Sequence, residues 1–237
     1  MADEPILATI TGEYFQPVRL HYRILDAEGL LGAFKKLRCV DSDPTRPRFV
    51  WLYDHEAKKL RLKQSYAQLP EHLRPIVIGS IFLREPDQLI LDLRSCERAL
   101  LAIPFFDKHI PRTAASLAEA EVVNKLFPAT GNAKLTPDGI FDHQGSARID
   151  PDAAVRRIAE LVADVQDPEE KFRIALEDMD ARAKQPLPEI ERLPVYYYEE
   201  GIQGFELSLR TRQIVAMQHW LGHPEYSLFD ALQSLLK

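Results

Sequence analysis

The residues that constrain this chain most are Ile76, Val77, Ile78, Ile81, Phe82 and Leu83, an apolar run interrupted only by Gly79 and Ser80. Such a run reads as a strand covered on both faces. Glu85-Pro86-Asp87-Gln88 then supplies turn chemistry, with Pro at the position where a fixed φ helps. Leu89, Leu91 and Leu93 alternate with Ile90, Asp92 and Arg94, which predicts a return strand with one buried face. Ser95 can cap a following helix carrying Ala99, Leu100, Leu101 and Ile103, to be stopped or kinked at Pro104. A hairpin feeding directly into a helix commits the chain to a mixed architecture.

Upstream, Ile6 to Thr11 reads as a short strand and Val18 to Leu25 as a better one, because Val18, Leu20, Tyr22 and Ile24 alternate with polar residues. Asp26 can cap a helix through Leu30, Phe34 and Leu37. Phe49–Tyr53 and Lys59–Lys63 read as a second hairpin, and 66–74 as a helical turn. Downstream, Leu117, Ala120, Val123 and Phe127 fall on one helical face before Pro128. Residues 128–149 are rich in Pro and Gly, with at most a small hairpin around Thr136–Gly139.

Asp150-Pro151 and Asp167-Pro168 each place a cap before Pro at the first helical position. They predict a packed αα-hairpin burying Ala154, Val155, Ile158, Leu161 and Val162 on one helix and Phe172, Ala175, Leu176 and Met179 on the other. Val195–Tyr198 with Phe205–Leu209 suggests a further hairpin. Helices at 214–221 and 228–236 close the chain. The expected fold is α+β: a mostly antiparallel sheet with packed helices in residues 1–127, a linker or irregular segment over 128–149, and a helix-richer acidic part with one extra hairpin in 150–237.

The 237 residues, 46% hydrophobic and 28% charged, suit a globular protein with a substantial core. No apolar stretch approaches the roughly 20 residues that span a bilayer. The acidic start, Met1-Ala2-Asp3-Glu4-Pro5, lacks the features of a signal peptide, so a cytoplasmic location is expected and no membrane partner. The net charge of -6 is uneven. Residues 1–127 hold 18 Lys and Arg against 17 Asp and Glu, whereas 128–237 hold 12 against 19.

Phosphate-loop, dinucleotide, nucleophile-elbow and zincin patterns are absent, and no family pattern can be quoted. No cofactor, catalytic residue or metal ligand is therefore assigned. Cys39 and Cys96 belong to no CxxC pair. His219 and His223 have ligand spacing, but Gly222 and Pro224 end the helix between them and the next turn. Asp107, His109, Asp142 and His143 could join them only by tertiary folding; that would make a metal-assisted hydrolase, the rival class. Asp54, Glu56 and Lys58 have nuclease-like ingredients but fall in an expected solvated turn.

The candidate binding surface is Arg48, Trp51, Tyr53, Lys59, Arg61 and Lys63. If Tyr53 opposes Lys59 across the hairpin, Trp51 faces Arg61, and one face becomes aromatic and basic, suited to stacking bases and neutralising phosphates. If Tyr53 opposes Leu60, Trp51 joins an ordinary core. One residue of slip decides between them. Since the whole chain is acidic, nucleic acid is not expected as the main partner. The expected role is binding or regulation through a macromolecular interaction, with a protein partner or self-association.

Overall fold

The computed structural model describes residues 4–131 and 135–235. Among them are eight strands and eight α-helices, an α+β fold. In chain order these are β1 (Val18–Ile24), α1 (Ala27–Lys36), β2 (Val40–Ser42), β3 (Phe49–Leu52), β4 (Val77–Arg84), β5 (Gln88–Leu93), α2 (Cys96–His109) and β6 (Ala115–Val123). They continue with α3 (Pro137–Phe141), β7 (Ala147–Arg148), α4 (Pro151–Leu161), α5 (Pro168–Ala183), β8 (Ile190–Pro194), α6 (Tyr197–Glu200), α7 (Gln203–Trp220) and α8 (Leu228–Leu235). All strands lie in one sheet of order β2-β3-β4-β5-β1-β6-β8-β7. Every pairing is antiparallel except β7 with β8.

The hairpin of β4 and β5 forms as the alternation predicts, with Ile81 opposite Leu91 and Gly79 opposite Leu93. Period-2 patterning sends Leu89, Leu91 and Leu93 to the same face as Val18, Leu20 and Tyr22 of β1 and Ala120 and Val122 of β6. That face is covered by α1, α2 and α7 through Leu30, Phe34, Ala99, Ile103, Phe106, Phe205 and Leu209. A smaller cluster of Phe15, Val123, Phe127, Ile140, Phe141 and Ile190 occupies the opposite face. Gly79 is required in β4: a Cβ there would lie 3.0 Å from Leu91, 3.1 Å from Leu93 and 3.2 Å from Trp51.

The caps act as read. Asp26 and Ser95 accept from the backbone N–H three residues on, at 3.0 and 3.2 Å. Asp150 and Asp167 cap α4 and α5. Pro104 sits inside α2 without ending it.

Four expectations are corrected. Residues 115–123 form β6 rather than a helix: pairing with β1 on one side and β8 on the other overrides the helix-favouring Ala and Glu content. Phe205 and Leu209 belong to α7, where the buried set Phe205, Leu209, Arg212, Ala216 repeats every three to four residues. A five-residue window fits both periods, so the expected extra hairpin is instead the single strand β8 followed by helices. Residues 137–141 form the short helix α3 rather than a small hairpin, and the two-residue strand β7 follows within 128–149. Lys59–Lys63 is not a strand, because β3 pairs with β2 and β4, and 55–59 is a 3₁₀ turn capped by Asp54.

The αα-hairpin forms as two helices but not as a buried unit. Among the described residues of α4 no side chain is buried, and α5 buries only Asp178. Phe172 is 67% exposed, Val155 66% and Met179 53%; Leu176 and Leu161 are also exposed. The apolar face of the sheet is already covered by α1, α2 and α7, so the stripes of α4 and α5 have no sheet to meet.

Candidate interaction surface and polar cleft

The six residues expected to form one binding face are distributed over three environments. Trp51 is fully buried, its ring centroid 5.1 and 4.9 Å from those of Phe105 and Phe106. Tyr53 is also fully buried, edge-on to Tyr66, and donates its hydroxyl to the Leu60 carbonyl at 3.0 Å. Arg48 lies on the other side of the sheet, donating to Asp43 at 2.8 Å and to Ser80 at 2.9 Å. Lys59, at the end of the 3₁₀ turn, and Arg61 and Lys63 on the segment after it are exposed. Neither hairpin register exists, because Trp51 faces Gly79 of β4 rather than any residue of 59–63.

The residues of the rival metal site are held by separate partners. Asp107 accepts from Arg112 at 2.9 and 3.0 Å, while Asp142 accepts from Arg19 at 2.8 Å. His109 packs on Phe105, and His219 Nε2 lies 2.8 Å from the Tyr226 carbonyl. Among the described residues no three His, Cys, Asp or Glu side chains converge in a way that could hold a metal ion. Both cysteines are free and buried, and burial pushes the Cys39 thiol up to about 12.

Two surfaces stand out instead. The first combines the α4–α5 arm with a groove beside the edge strand β2. Phe172, Leu176 and Met179 follow i, i+4, i+7 spacing and so share one side of α5. Residues 150–184 carry ten carboxylates and six cationic side chains. The groove, about 400 Å³, lies between α1 and β2 and is lined by Leu31, Phe34, Leu37, Val40 and Phe49 with Lys35, Asp41 and Ser42. Lys35 is exposed, as are Lys36 and Arg38 close to it in sequence. A hydrogen bond from the Cys39 N–H to Glu56 at 3.1 Å ties the 3₁₀ turn to this end of α1.

The second is the polar face of the sheet. One register row crosses five strands as Ser80, Asp92, Arg19, Glu121 and Arg192, so opposite charges are cross-strand neighbours. Arg19 donates to both oxygens of Asp92 at 2.6 and 2.9 Å, and its guanidinium lies 4.9 Å from the Phe141 ring centroid. His21 Nε2 is 3.2 Å from Glu121, which also accepts from Ser146 at 2.8 Å. Burial raises the Asp92 pKa in spite of Arg19. For Glu121 burial acts in the same upward sense, but the close His21 ring and the hydrogen bond from Ser146 outweigh it and lower the pKa. Asp142 pins the end of α3 to Arg19, and beside this cover a cleft remains open between β4, β5 and the start of α3.

The charge row, the arm and the groove are tertiary products. The sequence signals were the alternation in β1 and β5 and the Asp-Pro starts; neither says that α4 and α5 stay uncovered. No family model, curated protein or solved structure matches the chain.

Proposed function

We propose that the chain is a cytosolic binding protein that works through macromolecular interaction, with the apolar side of α5 as its docking surface. The observation that carries this reading is the exposure of Phe172, Leu176 and Met179 on one helix face, beside exposed Val155 and Leu161 of α4. Large apolar side chains grouped in this way mark contact sites. The partner is a second copy of this chain. Its groove beside β2 is mostly apolar, with Lys35 and Asp41 in its lining and exposed Lys36 and Arg38 close in sequence; the local excess of cations complements an arm that is apolar and net acidic. The contact is heterologous, arm to groove, and therefore builds rings or open chains.

Full burial of a side chain such as Phe, Leu or Met yields about 1.5–3 kcal/mol. Three that are already half covered supply roughly half of that, about 4 kcal/mol together, before the cost of association. Self-association is therefore expected to be weak, in about the millimolar range even with the help of charge. Sedimentation velocity over a concentration series tests it. Wild type should gain mass with concentration, more strongly at low salt, while Phe172→Asp stays monomeric and folded. A wild type that remains monomeric at the highest concentration, or a Phe172→Asp that assembles equally, would remove the arm from the reading.

A further inference from the structure

The cleft beside α3 has a volume of about 190 Å³, and its polar lining is Arg48, Ser80, Asp92, Arg94, Thr136 and Asp138. Most of these groups are already engaged. Arg48 is held by Asp43, Asp92 by Arg19, and the Thr136 hydroxyl accepts from the Gly139 N–H at 3.4 Å. Two are not. Among the described residues the Asp138 carboxylate has one cation in ion-pair range, Arg46 at 4.0 Å. Arg94, at the end of β5, has no carboxylate within 4.0 Å of its guanidinium among the described residues.

Arg94 is exposed at the cleft mouth, yet it stands among walls that crowd it and near a second guanidinium. That crowding lowers its pKa; the charge of Asp138 acts against it, and repulsion from Arg48 adds a smaller lowering. A guanidinium at the mouth of a polar cleft, beside a second guanidinium and with no carboxylate in ion-pair contact, is free to form charge-assisted hydrogen bonds to a bound anion. Ser80, which accepts from Arg48, keeps its hydroxyl hydrogen free to donate.

We propose that this cleft binds a small molecule carrying an oxyanion, a phosphate or carboxylate, between Arg94 and Arg48 with Ser80 donating to it. The carboxylate of Asp138 sets the ligand's polarity: the part away from the oxyanion must present a hydroxyl or ammonium donor. The site shares no residue with the arm or the groove, so it stands or falls independently of self-association.

Calorimetric titration of the full chain with inorganic phosphate, glycerol 3-phosphate and succinate tests the assignment. Succinate, with two carboxylates and no donor, separates carboxylate from phosphate recognition. Glycerol 3-phosphate should bind more tightly than inorganic phosphate. Arg94→Gln should weaken every probe that binds by about tenfold or more, with an unchanged melting temperature when no probe is present. Arg94→Lys should restore part of the loss, and Asp138→Asn should erase only the advantage of glycerol 3-phosphate. Binding unaltered in Arg94→Gln, or no heat from any probe at millimolar concentration, would overturn the proposal. Should Arg94→Gln melt early, Ser80→Ala replaces it, with weakened binding expected and unchanged binding counting against the site.

Discussion

Replacing Arg98 by Met should be among the most damaging single changes in this protein. The Arg98 and Glu13 side chains are each 1% exposed, with Arg98 Nε 3.6 Å from Glu13 Oε2. Arg98 also donates to Thr11 at 2.7 Å and to the Ile78 carbonyl at 3.3 Å. Glu13 in turn accepts from the Lys63 N–H at 3.0 Å and from the hydroxyls of Thr9 and Thr11. The cluster thus clips the N-terminal segment and the strand-free stretch after β3 onto α2 and β4. Met fills much of the volume but leaves the Glu13 carboxylate buried without its counter-charge, a loss of about 3–5 kcal/mol. For a chain of this size that corresponds to a fall of roughly 6–20 °C in melting temperature. Urea denaturation followed by tryptophan fluorescence is the assay, because Trp51 reports the same core. Adding Glu13→Gln to Arg98→Met should return more than half of the loss, since no unpaired charge then remains. A single-variant cost below about 1 kcal/mol, or a double variant no better than the single, would refute the reasoning.

Stability should fall as the pH drops below about 4.5. Hydrogen bonds from Thr11, Thr9 and the Lys63 N–H, with the Arg98 charge, outweigh burial and hold Glu13 below its usual 4.5, and Glu121 is lowered by His21 and Ser146 against burial. A carboxyl depressed in the fold stabilises above its unfolded pKa and loses that contribution as pH falls through the folded value. Asp92, raised above 3.8 by burial, acts in the opposite sense, so Glu121→Gln should flatten the acid limb of a midpoint-against-pH curve and Asp92→Asn should steepen it. Trp51→Ala should cost about 3–5 kcal/mol in a denaturant titration, as expected for a fully buried aromatic. Fluorescent single-stranded RNA and DNA should bind the folded wild type weakly at low salt, and Trp51→Ala should leave that affinity unchanged because the ring is not displayed; salt-sensitive, tight binding lost in this variant would contradict the burial.

What the sequence disclosed is what local chemistry controls. The β4–β5 hairpin was legible because its apolar alternation and turn lie within eighteen residues, and α1, α2, α4 and α5 because Asp26, Ser95, Asp150 and Asp167 occupy cap positions. Strand β6 was hidden because Ala115–Val123 has helix-favouring composition, and only the partners on both sides make it a strand. The place of Trp51 was undecidable locally. It depends on Gly79, 28 residues away, whose missing side chain gives the indole its room. The polar row from Ser80 to Arg192 draws on five strands scattered over more than a hundred residues, so no window contains it. The exposure of Phe172 was likewise beyond reach, because an apolar helical stripe states that something covers it and leaves open whether that is this chain or another.

The most direct measurement of the proposed arm-to-groove contact is a charge exchange read by sedimentation. Lys35→Glu with Lys36→Glu makes the groove edge acidic, and Glu169→Lys with Glu170→Lys makes the first turn of α5 basic; all four side chains are exposed. Each double variant alone should stay monomeric at concentrations where wild type assembles, because like charges then meet. An equimolar mixture of the two should assemble, and should lose mass as salt shortens the range of the attraction. Assembly of either variant alone to the wild-type extent, or a mixture that remains monomeric while wild type associates, would contradict it.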